Sequence, residues 1–196
     1  MLKIRFLKPE IRIVGWDDAP FDKKDREVRI FGAIFRGGTW FDGLLSTTIT
    51  VDGDDSTEKI TAMINKTRHM NQLRIIMLDG ITFGGFNVVD IAELNEKTGK
   101  AVIAISRRKP NFRNIKKALE NVDNGAGKWA LIKKAGRPIR CRVKNRDIYY
   151  QASGINRKDA ENVIKLSSTR SLIPEPLRVA HIIASGVVKG ESYGRA

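Results

Sequence analysis

Leu73-Arg74-Ile75-Ile76-Met77-Leu78-Asp79-Gly80 is an almost purely aliphatic run of strand length that ends on an acid and a glycine. Such a run has the pattern of a central strand buried on both faces of a sheet. Gly80 opens the turn after it, so the strand delivers the Asp79 carboxylate to the sheet's carboxyl edge. A second run does the same: Ile11 to Trp16 is short and apolar, and Asp17-Asp18-Ala19-Pro20 stops it with turn chemistry. If the two strands lie side by side, Asp17 and Asp79 meet. Converging carboxylates repel one another unless a cation sits between them, so the pair reads as a hard-metal site for Mg2+ or Mn2+.

Outward from these runs, Glu27 to Phe35 has β-branched and aromatic character, and Gly37-Gly38 makes a hairpin turn. Trp40 to Val51 follows, alternating through Leu45, Thr47 and Ile49, so an antiparallel meander is expected. Asp52-Gly53-Asp54-Asp55-Ser56-Thr57-Glu58 mixes turn and capping residues, and Ile60, Met63, Ile64 and Thr67 then recur at helical spacing; a helix is expected to start near Asp55. A helix over Val88 to Lys97 leads through Gly99 into Ala101-Val102-Ile103-Ala104-Ile105, another buried strand. Asn114 to Val122 reads as helical and Gly125-Ala126-Gly127 as its break. Short strands are expected near Trp129 to Ile132 and Ile139 to Val143, leading into Ile148 to Gln151. Helices over Asp159 to Leu166 and Pro176 to Val187 complete the chain.

These elements predict one α/β domain over residues 1–196, with helices on both faces of a mixed sheet. Three antiparallel strands followed by helix-connected parallel strands is the topology of a ribonuclease H-like fold, and a different mixed sheet fits the pattern nearly as well. With 196 residues and 41% hydrophobic residues the chain can bury an ordinary core. Lys and Arg number 36 against 22 acids, a formal charge of +14, which favours a polyanionic partner such as DNA or RNA over a merely solvated basic face. Cys141 is the only cysteine, which excludes an internal disulfide and a thiolate metal cluster and fits a reducing cytoplasm. No apolar run reaches the roughly 18 residues of a membrane span, and Met1 to Phe6 is too charged for a signal peptide.

Three acidic clusters lie at element boundaries: Asp17 with Asp18, Asp52 with Asp54 and Asp55, and Asp79. The first is hard to assign to a turn alone, because one acid is enough to start a turn. Asp55 can act as a ligand or only cap its helix, a role worth roughly 1 kcal/mol. An EF-hand at Asp52 is excluded, since the regular ligand alternation and the bidentate Glu are missing. Gly84-Gly85 can admit a phosphate to the backbone or simply serve the turn. Basic residues at Arg107-Arg108-Lys109, Arg113 to Lys117, Lys133-Lys134 and Arg137 to Lys144, interleaved with Trp129, Tyr149 and Tyr150, form a candidate phosphate-contacting surface with stacking partners. Of the two histidines, His69 ends a polar helix, and His181 shares a helix with Arg178, where a site-facing role is one reading. So few histidines disfavour a Ser-His-Asp triad or a multi-histidine zinc site.

At Gly15-Trp16-Asp17-Asp18-Ala19-Pro20-Phe21, Phe35-Arg36-Gly37-Gly38, Leu78 to Asn87, Pro174-Glu175-Pro176-Leu177-Arg178 and Gly190 to Ala196, the chain resembles a mainly archaeal family of unknown function related to endonuclease V, within the ribonuclease H-like superfamily. In that resemblance Asp17 matches the acid of the first strand, and Asp79-Gly80 matches the Asp-Gly ending the central strand. Asp55 stands near a metal-site Glu at the start of a helix. Tyr149 to Gly154 also looks like a carboxyl-terminal segment of endonuclease V. The His-Pro-Arg stretch after Asp-Gly is replaced by Gly84-Gly85-Phe86, the Gly-His near the late strand by Gly154-Ile155, and no Pro-Tyr wedge precedes the acidic helix. The resemblance implies a nuclease or phosphodiesterase-like protein that uses Mg2+ or Mn2+, with Asp17, Asp55 and Asp79 as ligands, Asp18 and Asp54 as alternate ligands and Arg178 near the scissile phosphate. A nucleic-acid-binding protein that keeps the fold and lacks the reaction is the alternative, and a protein-interaction module a third.

Overall fold

The computed structural model describes residues 8–22 and 24–192. Met1 to Phe6, and Tyr193 to Ala196 of the family-like carboxyl terminus, lie outside the described residues. The core is a seven-stranded sheet in the order β3-β2-β1-β4-β7-β9-β8, where β1 is Arg12–Asp18, β2 Glu27–Arg36, β3 Trp40–Thr50, β4 Leu73–Asp79, β7 Ala101–Ser106, β8 Ile139–Val143 and β9 Arg146–Ser153. β1, β2 and β3 form the expected antiparallel meander, and β1 pairs in parallel with β4, which pairs in parallel with β7. β9 and β8 continue the sheet antiparallel. The helix-connected parallel part thus consists of β1, β4 and β7, and most pairings in the sheet are antiparallel.

Among the described residues six helices pack around it: α1 Ser56–Lys66, α2 Ile91–Thr98, α3 Phe112–Leu119, α4 Gly125–Lys134, α5 Arg157–Ser167 and α6 Glu175–Lys189. Alternate residues of the central strands divide between two clusters, as a period of two requires. Trp16, Ile76, Leu78 and Val102 pack with Ile60 and Ile64 of α1 and Ile91 and Leu94 of α2. Ile13, Ile75, Met77 and Ile103 pack with Val163 and Ile164 of α5 and Leu177 of α6. Helices therefore cover both faces. Among the described residues, no helix is long and apolar enough to cross a membrane.

Two regions depart from the sequence reading. Residues 129–132 lie inside α4. Trp129 and Ile132, three apart, face the same cluster as Phe112 and Leu119, a helical rather than a strand period. Lys128, fully buried, anchors this helix by donating from Nζ to the Gly53 carbonyl at 3.0 Å and to Asp54 at 2.5 Å. Gly125-Ala126-Gly127 opens α4 after a left-handed Asn124. Helix α2 begins at Ile91, three residues after the expected Val88, because a short hairpin of β5 Thr82–Phe83 and β6 Asn87–Val88 intervenes. Its turn needs Gly84 and Gly85, at φ of 50° and 85°, where a side chain would be strained.

One glycine decides where the carboxyl-terminal helix sits. A Cβ on Gly15 would lie 2.5 Å from the Pro176 carbonyl carbon, so only glycine lets the start of α6 rest on the middle of β1. That approach carries the next turn of α6 to the carboxyl end of β1.

Candidate active site

β1 and β4 lie side by side with Trp16 opposite Leu78, so the residues that follow these two, Asp17 and Asp79, reach the same edge of the sheet. Asp17, Asp18, Ala19, Pro20, Phe21, Asp79 and His181 line one open cleft there, of about 500 Å³. The sequence brought Asp17, Asp18 and Asp79 forward as ligands, and the structure places all three in this cleft. His181 joins them from α6: its Nδ1 donates to Asp17 Oδ2 over 2.8 Å. The other oxygen of Asp17 accepts from the Asp18 backbone N–H at 2.9 Å. Asp18 in turn accepts from the Gly84 N–H at 2.6 Å, so the glycine turn closes against the cleft from the β5–β6 side.

Burial, and then the neighbouring charge of Asp17, push Asp79 up to about 7. The same two causes push Asp18 up to about 6, against the opposing hydrogen bond from Gly84. His181 is raised above the ordinary histidine value, chiefly by its bond to Asp17. Arg107, just past the end of β7, acts electrostatically on both Asp79 and His181. Sequence reading put Arg107 in a basic surface cluster and missed its place beside the carboxylates. What would have found it is its position one residue after a strand parallel to that of Asp79.

Four other expected residues are engaged elsewhere. Asp55 does not line the cleft; it accepts from Asn87 Nδ2 at 2.6 Å and from the Thr50 N–H and hydroxyl at 3.1 Å each. It thereby joins the end of β3 to β6, while Asn87, fully buried, also accepts from the Ser56 N–H that opens α1. Arg178 forks onto Glu175 of its own helix, 2.6 Å from Nη2 to Oε2. Asp54, expected as an alternate ligand, pairs with Lys128 and Asn124. Tyr150, expected on the basic surface, belongs to the core beneath α5.

The donor set suits a hard divalent cation. Three carboxylates share one cleft, and two of them are held in a raised pKa range by burial and mutual repulsion, which a cation would relieve. Among the described residues, no three acidic, histidine or cysteine side chains are arranged as a ready-made metal cluster, and Asp17 and Asp18 are engaged with His181 and the Gly84 N–H.

A family model described as endonuclease dU matches residues 9–188. A protein named UPF0215 from Methanothermobacter thermautotrophicus is 54% identical over 195 residues, covering 98% of this chain and 95% of that one. The crystal structure of a protein of unknown function from Archaeoglobus fulgidus superposes with a TM-score of 0.83 at 35% identity, over 91% of this chain and 99% of that one. Endonuclease V from Ciona intestinalis, crystallised with a 24mer DNA containing an inosine followed by a ribo-adenosine, superposes with a TM-score of 0.61 at 13% identity, over 91% and 86%. That last likeness establishes the ribonuclease H-like fold. Model and relatives cover nearly the whole length, and on that ground the chain belongs to the endonuclease dU family and is a relative of the archaeal UPF0215 proteins.

Proposed function

We propose that the protein is a divalent-metal-dependent endonuclease acting on nucleic acid at the Asp17–Asp79 cleft. The observation that carries this reading is the meeting of Asp17, Asp18, Asp79 and His181 at the carboxyl ends of two parallel strands, in a chain of net charge +14. Asp17 and Asp79 would hold Mg2+ or Mn2+, with Asp18 as a further oxygen donor. When bound, the cation supplies Lewis-acid stabilisation of phosphoryl charge and acidifies a water. As a ligand, Asp79 would orient the attacking water, whose proton leaves to solvent as its oxygen bonds to phosphorus. His181, favoured as imidazolium by Asp17, is suited to protonate the oxygen that leaves as the other P–O bond breaks. Arg107 supplies the cationic charge that had been expected of Arg178, and Arg178 and Asp55 support the site through Glu175 and Asn87.

The family's name makes deoxyuridine-containing DNA the first substrate to test, with inosine-containing DNA as the comparison suggested by the Ciona complex. Calorimetric titration of Mn2+ into wild type, Asp17→Ala and Asp79→Ala, run beside cleavage of labelled oligonucleotides, tests the reading. Both variants should lose metal binding and cleavage together. Undiminished binding in both would defeat it. The present partners of Asp17 and Asp18 favour one other reading, a nucleic-acid-binding protein without the reaction, whose binding would be salt-sensitive and indifferent to chelator.

A further inference from the structure

Beside the acidic cleft, on the α3–α4 side, lies a second concavity that the reaction does not use. Gly80, the residue after Asp79, lines a pocket of about 300 Å³ with Phe86, Phe112 and Ile132. Phe112 and Ile132 also line the next pocket, about 290 Å³, whose far wall is Trp129. The two pockets have Phe112 and Ile132 in common and adjoin along α3 and α4, and together they make up a groove with one end at Gly80, the residue after Asp79. Its lining is mostly apolar, and Phe112 meets Trp129 edge to face at 6.1 Å.

Cations line the same groove: Arg108 and Lys109 at the cleft end, Lys133 and Arg137 at the far end, all exposed. None of the four side chains has a hydrogen-bonding or ion-pairing partner among the described residues. Their neighbours differ, since Lys134 is paired to Asp90 and Lys128 to Asp54, and these two pairs bind α4 to the ends of α1 and α2. The groove is therefore a docked, apolar channel with unpaired positive charge along it. An acidic partner with flat apolar groups matches it. A duplex does not, because its bases are stacked inward; a single strand offers both its phosphates and its base faces.

We propose that this groove binds a single-stranded stretch of nucleic acid continuous with the strand in the acidic cleft. Bases pack against Phe112 and Trp129, and phosphates meet Arg108, Lys109, Lys133 and Arg137. The proposal rests on the nuclease reading for its direction and deepens it, since it names an unpaired strand as the form of substrate that the site accepts.

Anisotropy of a fluorescein-labelled oligothymidylate, measured in EDTA so that no cleavage occurs, tests the groove separately from the reaction. Lys133→Glu combined with Arg137→Glu should weaken binding about tenfold or more and reduce the slope of log K against log salt by about 1.4, the value for two phosphate contacts on a single strand. Lys158→Glu with Lys165→Glu makes the same change in charge on α5, across the sheet, and should leave the slope unchanged. Trp129→Leu should weaken binding about tenfold with the slope intact, because stacking is not ionic. Equal losses in the two double variants, no loss in either, or displacement by polyglutamate as effective as by unlabelled oligothymidylate would overturn the proposal. Groove binding with these properties but no metal-dependent cleavage upholds it and defeats only the nuclease reading. Cleavage that survives both groove variants unchanged, with unchanged single-strand affinity, defeats the groove alone.

Discussion

Asp17 links the two halves of the site: one oxygen holds the backbone of Asp18, the other holds His181. Replacing His181 by Asn removes the proton donor while leaving the carboxylates in place. Cleavage by His181→Asn should fall about a hundredfold or more, with Mn2+ affinity changed much less, as steady-state kinetics and calorimetry would show. The three carboxylates were legible in the sequence because each follows an apolar run, and a strand's end is set by that pattern alone. His181 was only half legible. Its place depends on Gly15 admitting α6, a contact between residues 161 positions apart in sequence that no local spacing encodes. Asp55 and Arg178 show the converse. Each has the right chemistry, but Asn87 and Glu175 capture them, and competition between partners cannot be read from residue type.

At the scale of elements, the site depends on two docked pieces, α6 and the β5–β6 hairpin. Gly15→Ala would drive a methyl into the backbone of Pro176 and Leu177, which overpacking places at about 1–3 kcal/mol. Urea unfolding should show that loss, and cleavage should fall further than stability accounts for, because the shifted helix carries His181 away from Asp17. Asn87→Ala strips Ser56 N–H and Asp55 of a buried partner and should cost about 1–3 kcal/mol. The sheet strands were visible as apolar runs, whereas this hairpin has only two residues in each strand, too short for a pattern, and only its last residue, Val88, was drawn into the expected helix. Helix α4 was misread for a related reason. Its buried contacts include a lysine, so the polar-apolar pattern that identifies an amphipathic helix is broken at Lys128.

For the whole molecule, the crowded cleft ties global stability to pH and to metal. Asp18 and Asp79 titrate near 6 and 7 in the folded chain against 3.8 for the free side chain, so the folded state binds their protons more tightly than the unfolded state does. Their contribution is fully present below about pH 3.8 and is lost as pH rises through 6 and 7. His181, raised as well, adds a term of the same sign that is lost as pH rises above its folded value. Asp54 and Asp90 act oppositely: Lys128 and Lys134 bind their charged forms, so their contributions are present at neutral pH and fade in acid. Metal-free protein should therefore be most stable in weak acid and should melt at lower temperature at pH 8 than at pH 5.5. Asp79→Asn should remove part of that slope, on the order of 2 kcal/mol of the difference between the two pH values. Mn2+ should raise the melting temperature of wild type at pH 8, where the carboxylates are free to bind it, and do little at pH 5.5, where protons compete. Scanning calorimetry in EDTA and in Mn2+ measures both effects. A wild-type slope that Asp79→Asn leaves unchanged would mean that the repulsion at this cleft does not couple to folding.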